Sequence, residues 1–344
     1  MELLEGDFLE FASNYTRFKS AKYLPAGYPN GYSPTGKQRK DDYAPKSLTL
    51  SWQSEAGAQY YALELATNQE LLNAVSYVTL DTSLELFDLY AGTSYYYQIT
   101  AKFADKAVKS QIFHFKTANL IRTIELEGVS NTRDIGGYST VDGKRIRQGM
   151  VYRGGKLEGI TAAAKEKALK TYGFKTDLDL RAEAEVSPLG ETVNFVNVSG
   201  PYYASSTGIS STADSSRGPW KGTYRDALIK EIQTFAKPEN YPIYVHCSLG
   251  RDRTGTIVFL INALCGVGEM DLYMDYEASF FSSMGCFDGQ MPQTMVGEQF
   301  ENLISYVKKY SDGTLSENVE KFMLDLGITQ TEIDTIRSLM IADA

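Results

Sequence analysis

One stretch constrains this chain more than any other, because in it an apolar, strand-like run and an apolar, helix-like run are joined by a short loop. The first run covers residues 243–245 and the second residues 257–264. Five residues of the loop separate Cys247 from Arg253, so one turn can place a thiol and a guanidinium around a single small anion. Loop N–H groups and the N-terminus of a following helix also favour negative charge. The stretch therefore predicts a strand, a tight loop and a buried helix that bind phosphate.

The side chains of this loop suit nucleophilic chemistry on phosphorus. Cys247 is a nucleophile as its thiolate, which cationic groups and helix N-termini stabilise, and Arg253 offers a planar fork for two phosphoryl oxygens. Thr254 is placed to donate a hydrogen bond to the thiolate, and His246 is placed to orient the loop. Gly250 permits a backbone turn that a side chain would obstruct. A buried structural cysteine is the alternative, but it leaves the matching offsets of the other residues unexplained.

Four blocks of sequence carry a resemblance to a known family. His-Cys-five residues-Arg-Thr-Gly, at 246–255, resembles the signature of cysteine-dependent protein tyrosine and dual-specificity phosphatases. Residues 131–137, 151–157 and 177–181 are similar, in order, to three blocks of the bacterial tyrosine/lipid phosphatase family. The resemblance covers about residues 120–344. One departure concerns Arg251, since members with broad or phosphoinositide activity usually carry lysine there.

The resemblance implies a metal-independent phosphomonoester hydrolase that needs no cofactor and acts through a phosphocysteine intermediate. Its catalytic residues would be Cys247, Arg253 and Asp252. Substrate binding is expected of Ser248, Leu249, Gly250, Arg251, Thr254, His246, Arg133 and Asp134. The last two either brace the phosphate loop or line its rim, and a purely structural ion pair explains them equally well.

The general acid has two candidates, because expulsion of the leaving group requires a proton donor within reach. The resemblance gives this role to Asp252, inside the loop. The alternative is Asp214, in the segment 199–220, which is rich in Ser, Gly and Thr and holds no Trp-Pro-Asp. We favour Asp252 because the family blocks match at its position.

The chain length suggests two domains. Residues 1–45 form an N-terminal extension broken by Pro and Gly. Residues 46–118 contain short alternating strands and resemble a fibronectin type III domain, which predicts an all-β immunoglobulin-like sandwich. In it a tyrosine of the segment 89–97 is expected to tie back to upstream backbone, and Trp52 is expected to be a core aromatic. Residues 119–344 form the tyrosine phosphatase-like α/β domain, with a central, mostly parallel sheet flanked by helices.

Further patterns predict the helices of the second domain. Thr161 is a candidate N-cap of a helix that runs to about residue 172. Residues 221–237 place apolar side chains on one helix face. The charges of residues 271–277 are expected to cap and solvate their helix. In the last helix Ile333, Ile336 and Met340 are expected to face inward.

Composition excludes several classes of function. A net charge of −9 argues against nonspecific nucleic-acid binding. Three cysteines are too scattered for a disulfide framework, and two distant histidines suggest no metal site. We find no apolar run of ~18 residues that would span a membrane, and the acidic start lacks the basic region of a signal peptide. The compartment stays open: domain analogy suggests secretion or the cell envelope, and the cytoplasm is not excluded.

The substrate is the least determined property. A phosphotyrosine protein, or a phosphoserine or phosphothreonine protein, needs a pocket with an aromatic wall, for which the sequence offers Tyr202, Tyr203 and Tyr138. A phosphoinositide or inositol phosphate needs more cations, which Arg251, Arg133 and Lys156 would supply. An inactive phosphate-binding scaffold is a third alternative, although such proteins tend to lose a residue of the loop. The sandwich is expected to be a spacer or to dock a protein or carbohydrate.

Overall fold

The structure, a computed structural model, describes residues 47–119, 121–181, 183–200, 223–279 and 300–342. Contacts along these ranges separate two compact units, which meet in sequence between Arg122 and Thr123. The predicted domain boundaries at 45 and 118 stay predictions. Within the described ranges no helix is long and apolar enough to cross a membrane.

The first unit consists of two antiparallel sheets. Its strands are β1 Leu48–Ser51, β2 Tyr60–Ala66, β3 Val75–Thr79, β4 Ser83–Leu86, β5 Ser94–Lys102, β6 Ala107–Lys109 and β7 Phe113–Lys116. Strand β1 pairs with β4, while the other sheet has the order β3-β2-β5-β6, with β7 also pairing with β5. Residues alternate between a buried and an exposed face, as in β1, and the buried side chains of both sheets form one hydrophobic core.

Two details of this unit follow the sequence pattern. The Tyr95 hydroxyl accepts a hydrogen bond from the Tyr90 backbone N–H at 2.7 Å, which confirms the predicted tie to upstream backbone. The Trp52 ring packs edge-on against Tyr61 at the border of the core. Strands β4 and β6 were not predicted.

The second unit is built on a five-stranded sheet with the order β12-β11-β13-β10-β8. Its strands are β8 Arg133–Asp134, β10 Val151–Gly154, β11 Thr176–Asp179, β12 Asn194–Asn197 and β13 Ile243–His246. Only β8 runs antiparallel to its neighbour, which confirms the mostly parallel sheet. A separate two-stranded ribbon pairs β9 Arg145–Ile146 with β14 Ile341–Ala342.

Three of the helices of this unit begin at threonine caps, and seven helices lie in the described ranges. They are α1 Ala162–Lys170, α2 Thr223–Phe235, α3 Asp252–Leu264, α4 Glu269–Ala278, α5 Phe300–Val307, α6 Leu315–Leu326 and α7 Gln330–Met340, with short 3₁₀ turns at Pro238–Asn240 and Lys308–Tyr310. Thr161 caps α1 through its side chain, and Thr329 caps α7 with a reciprocal bond to Glu332. The predicted inward residues of α7 are all fully buried.

Strand β13 and helix α3 form the centre of this unit. All four residues of β13 are buried, and so is every residue of α3 from Thr254 to Leu264. A helix that is apolar on all sides must be surrounded by protein. The loop between these two elements is therefore held at both ends by the core.

Candidate active site

The candidate site lies at the carboxyl ends of three neighbouring parallel strands. In the sheet register, Gly154 of β10 and Asp179 of β11 are both level with His246, the last residue of β13. The chain leaves β13 at this edge and enters the loop at Cys247. Ligands of open α/β sheets bind at this edge.

The loop turns its carbonyl groups outward. Hydrogen bonds from outside the loop reach the carbonyls of residues 248–250: Lys156 N to Ser248 O (3.2 Å), Asn131 Nδ2 to Leu249 O and Gly250 O (2.9 and 3.1 Å), and Arg153 Nη2 to Gly250 O (2.6 Å). In a planar trans peptide the N–H points opposite to the carbonyl. The N–H groups of Leu249, Gly250 and Arg251 therefore face the inner side, an orientation that suits an anion.

Gly250 is the position where this path requires glycine. Its φ is +68°, and a Cβ there would lie 2.1 Å from Gly154 O and 2.8 Å from Gly155 N. Both contacts are with backbone atoms that belong to the sheet edge. The prediction that a side chain would obstruct this turn is confirmed.

A buried charge cluster stands behind the loop. Asp275 of α4 binds Arg133 Nε at 2.8 Å through one carboxylate oxygen and Arg153 Nη1 through the other, and both arginines are fully buried. Burial alone raises the pKa of Asp275, but the charges and hydrogen bonds of the two arginines hold it below its ordinary value. The expectation that the charges of 271–277 are solvated is thus wrong for Asp275, which is 3% exposed.

The structure places Arg133 and Asp134 in the interior. Arg133 Nη1 donates to Asn131 Oδ1 at 2.6 Å, so it holds the side chain that in turn holds the loop carbonyls. Asp134 accepts hydrogen bonds from the backbone N–H groups of Gly136 and Gly149. Both side chains are inaccessible to solvent. This placement favours bracing of the loop over contact with substrate, and their assignment to substrate binding stays a prediction.

His246 is anchored by a carboxylate from the neighbouring strand. Its Nε2 lies 2.9 Å from Asp177 Oδ1, and its Nδ1 lies 3.3 Å from Cys247 O. Burial alone lowers the pKa of His246, but the hydrogen bond and charge of Asp177, with the charge of Asp179, raise it above its ordinary value. The ring is fully buried, so its contacts agree with the predicted role in orienting the loop.

The predicted nucleophile and its arginine lie on opposite ends of the loop. Cys247 is 4% exposed, and Arg253 is half-buried with its Nη1 donating to Leu180 O at 3.0 Å. The Thr254 hydroxyl is buried and has no hydrogen-bond partner among the residues that the structure describes. Its predicted bond to the thiolate stays a prediction.

Asp252 is the first residue of α3. Both of its carboxylate oxygens accept from Arg251 Nε, at 3.1 and 3.2 Å, and its side chain is 19% exposed. This partial exposure agrees with the predicted role, because a general acid exchanges protons with water. Asp214 lies outside the described residues, so the choice between the two acids stays a prediction.

Four residues of the site were given no individual role by the sequence. Asn131 and Arg153 lie in blocks that carried the family resemblance, so the blocks pointed to them without giving a role. Asp275 lies in the segment 271–277, whose charges were expected to be solvated. Glu231 of α2 is fully buried near Arg253. Its signal was its spacing, since it falls four residues from Ala227 and so lies on the apolar face of the helix.

The chain is similar in sequence to known proteins. A sequence model described as the tyrosine phosphatase family matches residues 124–342, which include the loop and all of its braces. The chain belongs to the tyrosine phosphatase family. This confirms the predicted tyrosine phosphatase-like class, and it leaves substrate and mechanism open.

The relatives carry the same description. A "Putative tyrosine-protein phosphatase" of Cupriavidus necator is 29% identical over 45% of this chain and 62% of its own length. The "Putative tyrosine-protein phosphatase OCA1" of Saccharomyces cerevisiae is 30% identical over 30% of this chain and 42% of its own. The chain thus spans about two fifths to three fifths of these relatives. One of these relatives comes from a bacterium and the other from a yeast, so the bacterial origin of this chain stays a prediction.

A solved structure is also similar to part of the chain. It is the core catalytic domain of the PP-IP phosphatase SIW14 from S. cerevisiae, with 15% identity, 48% of this chain and 90% of that chain covered, and a TM-score of 0.28. A score of this size carries no argument about fold or substrate. The family assignment rests on the sequence match.

Proposed function

We propose that this chain hydrolyses phosphomonoesters, without a metal, through a phosphocysteine intermediate. The Cys247 thiolate attacks phosphorus, the bond from phosphorus to the leaving oxygen breaks, and Asp252 gives that oxygen a proton. Asp252 then takes a proton from water, which attacks the phosphocysteine, and the S–P bond breaks to release phosphate and the thiolate. The Arg253 fork and the loop N–H groups stabilise the equatorial oxygens.

The observation that carries this proposal is the outward orientation of the loop carbonyls. Backbone, amide and guanidinium donors hold the carbonyls of Ser248, Leu249 and Gly250. The N–H groups are therefore oriented before any ligand arrives, and a preorganised set of donors costs no reorganisation during the reaction. A structural cysteine would need no such arrangement.

Substrates with a single phosphate are favoured over phosphoinositides. Of the three cations that a polyanionic substrate would use, Arg133 is fully buried against Asp275 and Arg251 is 2% exposed against Asp252. Lys156 is exposed, which leaves one cation of the three at the surface. We therefore favour phosphotyrosine proteins, with phosphoserine and phosphothreonine proteins as the dual-specificity extension. Of the three tyrosines offered as an aromatic pocket wall, Tyr138 is buried against Asp275 and so does not face a substrate. The other two, Tyr202 and Tyr203, lie outside the described residues.

The first unit is proposed to be a fibronectin type III-like sandwich that acts as a spacer or docking module. Two sheets around one core and the Tyr95 tie to Tyr90 support this proposal. Its partner, protein or carbohydrate, stays a prediction.

The proposed reaction is tested by phosphate release from para-nitrophenyl phosphate, a small phosphotyrosine mimic, with and without a chelator. Wild type should turn over equally in both conditions. Cys247→Ser should abolish turnover, and Asp252→Asn should lower it by ~10²-fold or more. Cys265→Ser is the matched control, because this second buried cysteine lies at the far end of α3.

Other outcomes decide between the alternatives. A wild-type protein that binds phosphate and never turns it over supports the scaffold. Faster release from phosphoinositides than from phosphotyrosine peptides supports the lipid alternative. Loss of activity with the chelator, reversed by added metal, contradicts the proposed mechanism.

A further inference from the structure

Glu231 is a buried acid that the proposed reaction does not use. It lies on the buried face of α2 and is inaccessible to solvent. Within the part of the chain that the structure describes, neither of its carboxyl oxygens has a hydrogen-bond partner. Buried polar groups in proteins are nearly always hydrogen-bonded, so this side chain requires an explanation.

The surroundings of this carboxyl connect it to the phosphate loop. A Cβ on Gly200 would lie 2.6 Å from Glu231 Oε1 and 3.0 Å from Leu180 Cβ, so the missing side chain of Gly200 makes room for the carboxyl. Leu180 O accepts hydrogen bonds from Gly200 N at 3.1 Å and from Arg253 Nη1 at 3.0 Å. The guanidinium of Arg253 and the Glu231 carboxyl thus belong to one small cluster at the end of β11.

Burial favours the neutral form of this carboxyl. It raises the pKa of Glu231 well above its ordinary value, the guanidinium of Arg253 opposes this effect, and the thiolate of Cys247 adds to it. Arg253 from α3 and Cys247 from the loop are the charged groups that act on this acid among the described residues, while Leu180 and Gly200 face it with uncharged surfaces. A carboxylate without hydrogen bonds in this place would be very costly.

We propose that Glu231 is a positioning residue for Arg253: as a neutral acid it leaves the guanidinium to the substrate, and as a carboxylate it takes the guanidinium as an ion-pair partner and weakens phosphate binding. The inference rests on the proposed function, in which Arg253 binds the phosphoryl oxygens. A negative charge on Glu231 would also add to the charges of the thiolate and the phosphate in one site. The ion pair with Arg253 and the added negative charge would both weaken phosphate binding.

The test is tungstate binding, measured by calorimetry on the full chain with Cys247→Ser, in which the thiolate no longer titrates. Tungstate stays a dianion from neutral to alkaline pH, so its own charge does not change. Affinity should fall by up to about tenfold for each pH unit above the pKa of Glu231. Adding Glu231→Gln, which keeps the shape and cannot ionise, should remove this loss and give tighter binding at alkaline pH.

Control variants separate this effect from others. Asp226→Asn changes an exposed acid on the same helix and should follow the parent at every pH. Glu231→Leu also cannot ionise and should likewise lack the alkaline loss, which keeps the test valid if the Gln variant does not fold. Thermal unfolding of each variant establishes that the fold is kept.

Two results overturn the inference alone: an alkaline loss of tungstate affinity that persists in the folded Gln and Leu variants, or a tenfold weaker affinity of the Gln variant at neutral pH. The second result would mean that the charge of Glu231 is needed. If Arg253→Lys leaves tungstate affinity intact, the assignment of Arg253 in the proposed function fails as well. If only the Glu231 results fail, the phosphatase proposal stands.

Discussion

Helix α3 has a buried cysteine and a left-handed glycine at each end, and the two ends differ in what surrounds them. At the N-terminal end Cys247 precedes a loop whose carbonyls point outward and whose Gly250 contacts the sheet backbone. At the C-terminal end Cys265 is the cap residue, and Gly266 and Val267 donate to Ala263 O and Asn262 O. Those two bonds form a Schellman motif, an ordinary helix stop.

The surroundings of the two ends have opposite polarity. The N-terminus of a helix presents N–H groups and favours anions, whereas the C-terminus presents carbonyls and favours cations. At the C-terminal end, Leu264 O accepts from Ser316 Oγ and Arg337 Nε, and Arg337 pairs with Glu320 in a partly exposed ion pair. The same residue types thus form the proposed catalytic loop at one end and a helix stop at the other, because backbone direction and burial of the partners differ.

The largest expected contrast is in the reactivity of the two thiols. Burial raises the pKa of Cys265 from 9.0 to about 12, so only a minute fraction is thiolate at neutral pH. Iodoacetate, an anionic reagent, should modify Cys247 at least ~10³-fold faster than Cys265. Peptide mass spectrometry on protein with Cys286→Ser measures both rates.

Inorganic phosphate is the control for this contrast. It should protect Cys247 and leave the slow reaction of Cys265 unchanged. Equal rates at the two cysteines in the folded protein would show that helix polarity and burial do not separate them.

A smaller contrast is expected between the two arginines that bind carbonyls at the helix ends. Arg153→Met removes one partner of a fully buried carboxylate and should lower the free energy of unfolding by about 3 kcal/mol or more. Arg337→Met breaks an ion pair that is about a quarter exposed and should cost about 1 kcal/mol or less. Urea denaturation measures both, and similar costs would contradict the claim that burial sets the difference.

Alanine substitution at the two glycines should differ more in its effect on enzyme activity than in its effect on stability. Both have positive φ, +68° at Gly250 and +86° at Gly266, so alanine is strained at either position. A Cβ at Gly250 also overlaps Gly154, whereas at Gly266 its nearest neighbour is Thr140 Cβ at 3.7 Å. Gly250→Ala should displace the loop and lower kcat/KM for para-nitrophenyl phosphate by about 10²-fold.

Gly266→Ala is the matched control for backbone strain. It should lower the melting temperature to a similar degree and change kcat/KM by less than about threefold. Comparable losses of activity in both variants would mean that strain, and not the contact with the sheet edge, disables the loop.

Local sequence predicted the path of the chain through the site. An apolar strand, a glycine turn and an apolar helix each have their own signature, and Cys247 and Arg253 follow from the spacing between them. The caps of α1 and α7 were equally local, since Thr161 and Thr329 each bond to the third residue after them. These features depend on contacts within a few residues.

The braces of the loop were not predictable in the same way. Asp275 looked like a solvated helix charge, because the arginines that bury it lie 142 and 122 positions away. Glu231 was not singled out in the segment 221–237. The residues near it, Arg253 and Gly200, come from other elements of the fold. Pairings at long range are set by topology, and a single sequence does not display them.

The smallest expected effect concerns the pH dependence of stability at the N-terminal end of α3. Because Asp177 raises the pKa of His246 above its ordinary value of 6.5, the protonated pair stabilises the fold below that value. This contribution is lost as pH rises through the folded-state pKa. Asp177→Asn removes it, so the gap in unfolding free energy between wild type and variant should shrink as the pH rises from about pH 6 to about pH 8.5.

The C-terminal end supplies the control for this titration. There Arg337 lowers the pKa of Glu320 below 4.5, so the stability from that pair is present above this value and is lost only in acid. The gap between wild type and Glu320→Gln should therefore stay constant over the same range. A gap for Asp177→Asn that is also constant from about pH 6 to about pH 8.5 would mean that His246 stays neutral in the fold, and that Asp177 orients the ring by a neutral hydrogen bond alone.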